Sequence, residues 1–382
     1  MTCDYTVEAV CAAETGGLLP DTQILKIGAF QLELGGILQD VTVAYETRGH
    51  LDANRGNVVL VTHALTGDSH VAKVESGDPV KGWWDGLVGP GAGLDTREYF
   101  VICSNVLGGC RGTTGPSSSN PVTGHPYGSA FPVITVKDMV HLQKILMDHL
   151  QIRRLACVIG GSLGGMQALQ WAVSYPTAVE KAIIIASPGR TSPQSIAYNE
   201  VQRQAVMADP NWRGGDYYGY EPPLRGLAIA RMLGMITYHS PASMERKFGR
   251  KARRLPGEPD VRFEVEDYLH YHGEKITMRF DPNSYVCLTR AMDLFDAGSG
   301  YPSYRHALER IHASVLVVGI RSDILYPTFQ QRELARDLRV AGVRTAYREL
   351  DSPWGHDAFL IETWVLGAVI QEFLRAPVQR QL

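Results

Sequence analysis

The sequence predicts an α/β fold in which a mostly parallel central sheet is flanked by helices and carries an inserted helical subdomain. Three observations predict it. Short apolar runs at 58–62, 99–103, 155–159, 181–186 and 315–319 alternate with stretches of helical spacing. Continuous apolar runs suit strands buried on both faces. One run leads straight into Gly160-Gly161-Ser162-Leu163-Gly164-Gly165 and then a helical pattern over 166–174. From 191 to 312 the pattern becomes helical with no convincing central strand, and Val315-Leu316-Val317-Val318-Gly319 then restores it. The expected division is a core of 1–190 and 313–382, with 191–312 as the inserted lid.

In chain order, residues 1–20 read as a loosely ordered lead-in. Residues 24–36 and 41–48 alternate apolar and polar, as a half-buried hairpin does. The run at 58–62 is a central strand ending in His63-Ala64-Leu65-Thr66-Gly67-Asp68. A strand at 99–103 precedes a segment, 105–127, crowded with Gly, Ser, Thr and Pro. So long an irregular stretch directly after a central strand points to function. A helix begins near Thr135, with Met139, Leu142, Ile145, Leu146 and Leu150 on one face. After the insertion, 330–338 is helical, 344–350 is the last strand, and 358–374 is a final helix.

Composition excludes several classes. With 382 residues and a net charge of −3, the chain has no general attraction for nucleic acid or anionic membranes. No apolar run approaches the roughly eighteen residues of a membrane span. The first residues carry Asp4 and Glu8 where a secretion signal has basic residues, so a cytoplasmic protein is expected. The six cysteines (Cys3, Cys11, Cys103, Cys110, Cys157, Cys287) form no C-x-x-C, and Cys103 and Cys157 are expected as reduced core residues. No metal-ligand spacing or phosphate loop is present; His270-Tyr271-His272 is too close-set for a zinc motif.

Gly160-x-Ser162-x-Gly164 between a strand and a helix is a nucleophile elbow, in which the serine hydroxyl stands above the sheet. A serine nucleophile needs a base and an orienting acid, in chain order Ser, Asp/Glu, His. Asp323, just past the strand ending at Gly319, and His356, in the loop before the last helix, fit that order. Read alone, Asp323 also fits a turn or helix cap, and His356 a surface loop. The oxyanion hole takes the N–H of Leu163, after the nucleophile, and a second N–H from the loop after the 58–62 strand, for which Leu65 is the choice.

These motifs together resemble the homoserine O-acetyltransferase family of α/β-hydrolase-fold enzymes. The resemblance runs from about Gly35 to Leu374. It rests on the His63–Asp68 motif, Gly82-Trp83-Trp84-Asp85-Gly86, and Cys103-Ser104-Asn105-Val106-Leu107-Gly108-Gly109-Cys110. Gly115-Pro116-Ser117-Ser118, the elbow itself, Ala230-Arg231-Met232 and Gly355-His356-Asp357 complete it. It implies ping-pong transfer of acetyl from the co-substrate acetyl-CoA, through an acyl-Ser162, to the hydroxyl of L-homoserine, for methionine synthesis. It implies no permanently bound cofactor, and a homodimer formed through the lid. It also implies that Arg231 clamps the substrate carboxylate and Asp357 receives its ammonium. Read alone, Arg231 also fits a helix arginine reaching solvent, and Asp357 an N-cap. Succinyl-CoA as donor, L-serine as acceptor, and a plain esterase remain alternatives on the same fold. The basic run from Arg246 to Arg254 reads as a solvated helical face, with contact to CoA phosphates as the alternative.

Overall fold

The computed structural model describes residues 19, 21–73, 80–254 and 261–377, with the side chains of Arg253 and Arg254 left undescribed. The lead-in before residue 21, with Cys3 and Cys11, lies outside these residues apart from residue 19.

Eight strands form the main sheet: β1 (Gln23–Lys26), β2 (Thr42–Arg48), β3 (Val58–Thr62), β4 (Phe100–Ser104), β5 (Cys157–Gly161), β6 (Lys181–Ile185), β7 (Ser314–Ile320) and β8 (Thr345–Leu350). Their order across the sheet is β1-β2-β4-β3-β5-β6-β7-β8. The β1–β2 and β2–β4 pairs are antiparallel, and every later pair is parallel. The expected hairpin is therefore β1 on β2, shortened by a small side hairpin that pairs Phe30 with Leu38 and Gln31 with Ile37.

Alternation along each strand divides its side chains between two cores. Val58, Leu60, Val158, Ile184 and Val317 face one, with helices α1 (Val136–His149) and α2 (Leu163–Ser174). Val59, Val61, Ile159, Ile183 and Val318 face the other, packed on Leu366 and Ile370 of the last helix. A strand buried on both faces cannot show polar alternation in sequence, which explains the continuous apolar runs. Helix α1 starts as expected, with Thr135 and Asp138 forming a capping box. Cys103 and Cys157 are buried free thiols.

Between β6 and β7 lie α3 (Pro193–Met207), α4 (Leu224–Tyr238), α5 (Pro241–Lys247), α6 (Glu264–Thr277), α7 (Pro282–Asp293) and α8 (Tyr304–Glu309). Helix α4 packs against both α3 and α6. A short antiparallel pair, Ala252–Arg254 with Val261–Phe263, also sits in this region. The layer is fastened to the core at loops beyond the strand ends: Ser195 Oγ donates to the Leu325 carbonyl at 3.4 Å, and Ser240 Oγ to that of Pro353.

After α9 (Thr328–Val340) and β8, the expected single final helix is broken. It divides into α10 (Ala358–Ile361) and α11 (Thr363–Arg375) at Glu362, which has φ −93° and ψ 49°. The cause is a competing donor. Trp84 Nε1 donates to the Phe359 carbonyl at 2.9 Å, the acceptor that a continuous helix would offer to residue 363. No described helix is long and apolar enough to cross a membrane.

Candidate active site

Ser162 sits between β5 and α2 with φ 58° and ψ −124°, a conformation that side-chain-bearing residues rarely adopt. The helix begins directly at Leu163, three residues before the apolar periodicity does, because Gly164 and Gly165 form its first turn. Close approach, not backbone freedom, requires glycine here. A Cβ on Gly160 would overlap Thr62 Oγ1 and the Gly164 backbone, and one on Gly164 would overlap the Thr62 carbonyl oxygen. Thr62 Oγ1 uses this proximity, donating to the carbonyls of Gly164 (2.8 Å) and Ile159 (3.1 Å). The elbow is thereby pinned to the end of β3, and Ser162 N–H donates to the Ile185 carbonyl of β6 at 3.0 Å.

The loop leaving β3 is equally constrained. Gly67 N–H donates to the Ala64 carbonyl at 2.9 Å, closing a tight turn around Leu65 and Thr66. His63 accepts the Val106 N–H at Nε2 (3.0 Å) and donates from Nδ1 to the Ala64 carbonyl (2.8 Å). Burial holds its pKa below the ordinary imidazole value, so the ring is a neutral strut between the loop and the segment after β4. Gln167 of α2 donates to the His63 carbonyl at 3.2 Å. The N–H groups of Leu65 and Leu163 have no acceptor among the described residues. Both lie on backbone held against the elbow, where a developing oxyanion needs donors.

Asp323 follows β7, buried at 4% exposure. Its Oδ1 accepts the Leu325 and Tyr326 N–H groups at 2.8 and 3.0 Å, which leaves Oδ2 aimed at His356 Nδ1, 2.7 Å away. His356 lies in a short 3-10 turn, Gly355–Asp357, beyond β8. That turn is held by a hydrogen bond from Gly355 N–H to Ser322 Oγ, 2.9 Å long. The imidazole is walled by the rings of Tyr326, Phe359 and Tyr238 at 5.4–5.9 Å between centroids. Phe359 also covers Gly161, where a Cβ would come within 2.6 Å of its ring. One aromatic side chain thus spaces the imidazole from the elbow. His356 Nε2 is buried with no hydrogen-bond partner, and Ser162 Oγ is not bonded to it. Catalytic hydrogen bonds of this kind commonly close only around substrate.

Burial alone would depress the His356 pKa. The charge and hydrogen bond of Asp323, then the charge of Asp357, outweigh it and raise the pKa above 6.5. A base must be neutral, so activity is lost as pH falls through this raised value. The acid limb of a kcat/KM–pH profile is expected above pH 6.5. Asp323→Asn should move that limb to lower pH and cut kcat by roughly 10⁴-fold, because an amide cannot enforce the same tautomer. An unmoved limb would show that another group titrates.

Arg231 projects from α4 with Nη1 3.5 Å from Thr66 Oγ1 and its guanidinium 5.3 Å from the Tyr238 ring centre. Asp357 follows His356 directly, on a turn packed against α4. Burial, with the nearby charge of Asp323, outweighs the pull of His356, Arg231 and Lys247 and leaves the Asp357 pKa above its ordinary value. The structure therefore gathers Ser162, Leu65, Leu163, Asp323, His356, Arg231 and Asp357 at the strand C-terminal ends, under the helical layer. Sequence reasoning missed two positioning groups. His63 lies inside the His63–Asp68 motif, where nothing local marks its imidazole as a brace. Arg279, which donates from Nη1 to the Thr66 carbonyl at 2.8 Å, carried no sequence signal at all.

A family profile described as the alpha/beta hydrolase fold matches residues 57–363. A homoserine O-acetyltransferase of Symbiobacterium thermophilum is 56% identical over 349 residues, covering 90% of this chain and 91% of that protein. Among solved structures, homoserine O-acetyltransferase from Bacillus anthracis superposes with a TM-score of 0.88 at 31% identity, over 94% of this chain and 99% of that one. Esterase E22 superposes at 0.84 with 29% identity, over 93% and 99%. The chain belongs to the homoserine O-acetyltransferase family of the α/β-hydrolase fold.

Proposed function

We propose that this protein transfers an acetyl group from acetyl-CoA to the side-chain hydroxyl of L-homoserine, giving O-acetyl-L-homoserine for methionine synthesis. The observation that carries the proposal is an elbow serine and a buried Asp323–His356 pair placed with both Arg231 and Asp357. A plain esterase needs the first set only. An amino acid acceptor carries a carboxylate and an ammonium, and needs a group of each sign.

In the proposed first half-reaction, Ser162 Oγ attacks the thioester carbonyl and its proton passes to His356 Nε2. The Leu65 and Leu163 N–H groups take the oxyanion. The carbon–sulfur bond breaks, and the thiolate leaves with the proton from His356. In the second half, the homoserine hydroxyl gives its proton to Nε2 and attacks the acyl-serine. Ser162 leaves and recovers the proton. Holding Nδ1 on Asp323 supports this, since it leaves the Nε2 lone pair unengaged. Arg231 would hold the acceptor carboxylate and Asp357 its ammonium. The helical layer would keep water from the acyl-enzyme. A cytoplasmic homodimer is part of the same reading, and a second copy would cover Ile229, Ile236 and Tyr271, which α4 and α6 leave exposed.

The test is a matrix of acetyl-CoA and succinyl-CoA against L-homoserine and L-serine, following free thiol. Acetyl-CoA with homoserine should lead. Serine lacks one methylene, a difference worth roughly 10–200-fold. Equal rates across the matrix would remove the substrate assignment. Rapid cleavage of simple esters without thiol release in the presence of homoserine would make the protein an esterase.

A further inference from the structure

Outside the turn that follows β3 lies a groove of about 400 Å³. Arg111, Arg279, Tyr218, Tyr220 and Phe280 are among its walls. Arg279 connects it to the site, because the same guanidinium holds the Thr66 carbonyl, one residue from the Leu65 N–H. The groove is thus the space immediately beyond the oxyanion turn, between the segment after β4 and the segment joining α6 to α7.

Neither of its arginines makes a direct ion pair with a described residue. Arg111 is half-buried, yet it makes no ion pair or hydrogen bond with any described residue. Burial lowers the Arg279 pKa, and the positive charges of Arg231 and Arg111 lower it further, with Asp68 acting in the opposite direction. Arg111 and Arg279 line the groove, and Arg231 meets the same turn at the Thr66 side chain, its Nη1 3.5 Å from Oγ1. The groove's own carboxylate, Asp281, is already engaged. It accepts the Tyr217 and Tyr218 hydroxyls at 2.6 and 3.0 Å and the Ser284 N–H at 2.8 Å. Clustered, partly desolvated guanidinium groups without carboxylates attract an external anion, and phosphate oxygens match their geometry.

The other basic stretch is engaged elsewhere. Arg246 lies over the Trp354 ring at 5.2 Å, Lys247 over Tyr268 at 3.9 Å, and Arg250 over Phe263 at 5.6 Å. Lys251 pairs with Glu264 at 3.9 Å. The side chains of Arg253 and Arg254 lie outside the described residues.

We propose that this groove holds the phosphate-bearing part of the acyl donor, with Arg111 as the anion contact and the tyrosines as flat apolar walls beside it. The inference rests on the acyl-CoA reading above and adds where the donor lies. A thioester delivered to Ser162 places its phosphates at the far end of a long arm, which requires a cationic seat outside the oxyanion turn. Arg111, unlike Arg279, touches none of the reacting machinery, so its substitution tests the seat alone.

Calorimetric titration at low salt, with CoA and with pantetheine as probes, decides it. Arg111→Glu should weaken CoA binding about tenfold or more and leave pantetheine, which lacks the nucleotide and every phosphate, unchanged. Arg111→Lys should retain most of the affinity. In turnover, Arg111→Glu should raise KM for acetyl-CoA with kcat unchanged, and should not alter kcat/KM for S-acetyl-N-acetylcysteamine, which has no phosphates. Unchanged CoA affinity in Arg111→Glu, an equal loss for both probes, or no CoA binding by the wild type overturns the proposal. If neither thioester acetylates homoserine, the transferase reading falls while the CoA titration still decides the groove.

Discussion

Ser162→Ala is expected to reduce acyl transfer by roughly 10⁴–10⁶-fold while leaving stability almost unchanged. The rate loss follows because the acyl group would have no atom to attach to, and the rest of the machinery works only through that oxygen. The stability expectation comes from the backbone. At φ 58° and ψ −124°, alanine has the same Cβ and bears the same strain as serine. Ser162→Gly removes the Cβ at that conformation, so it should lose activity equally yet raise stability by about 1 kcal/mol. Paired measurements of thiol release and urea unfolding on the two variants check this. Equal stability in both would mean that the elbow stores no strain. Residual turnover within about tenfold of wild type in either would remove Ser162 as nucleophile.

Gly164→Ala is expected to be the most damaging small substitution in the core, costing at least about 3 kcal/mol. Its Cβ would overlap the Thr62 carbonyl oxygen, and the next atoms in its way are Thr62 C and the His63 carbonyl oxygen. All are backbone at the end of a central strand, so no flexible side chain can give way. Relief would require α2 to move off β3, breaking the bonds from Thr62 Oγ1 to Gly164 and from Gln167 to His63. Gly28→Ala is the contrast. Nothing lies within 4 Å of its Cβ position and its φ is unexceptional, so alanine should be neutral or mildly stabilising there. Urea midpoints of the two variants measure the difference. A Gly164→Ala protein as stable as wild type would show that the elbow can separate from β3.

Much of the sheet was legible because burial on both faces forces continuous apolar runs, and β3, β5, β6 and β7 stand out as such. Where a tertiary contact overrides local preference, the sequence misleads. Residues 358–374 have unbroken helical spacing, yet the Trp84 indole takes the Phe359 carbonyl and divides the helix. Trp84 is distant in sequence, so no local window contains the cause. The start of α2 is a second case, since the helix opens on two glycines that helix propensity disfavours.

The site divides along the same line. By itself the sequence singled out the candidate groups: an elbow serine, an acid and a histidine in the right order after strands, and a motif-borne arginine and aspartate. These lie in short local patterns that strand ends impose on the chain. Only the tertiary structure decided their relations. It set Asp323 Oδ2 at 2.7 Å from His356 Nδ1, and it raised the His356 pKa through two carboxylates. It placed His63 and Arg279 as the braces of the turn carrying Leu65. Those depend on distance and burial between residues up to 213 positions apart in the chain, and distance across a fold is not written in any local stretch.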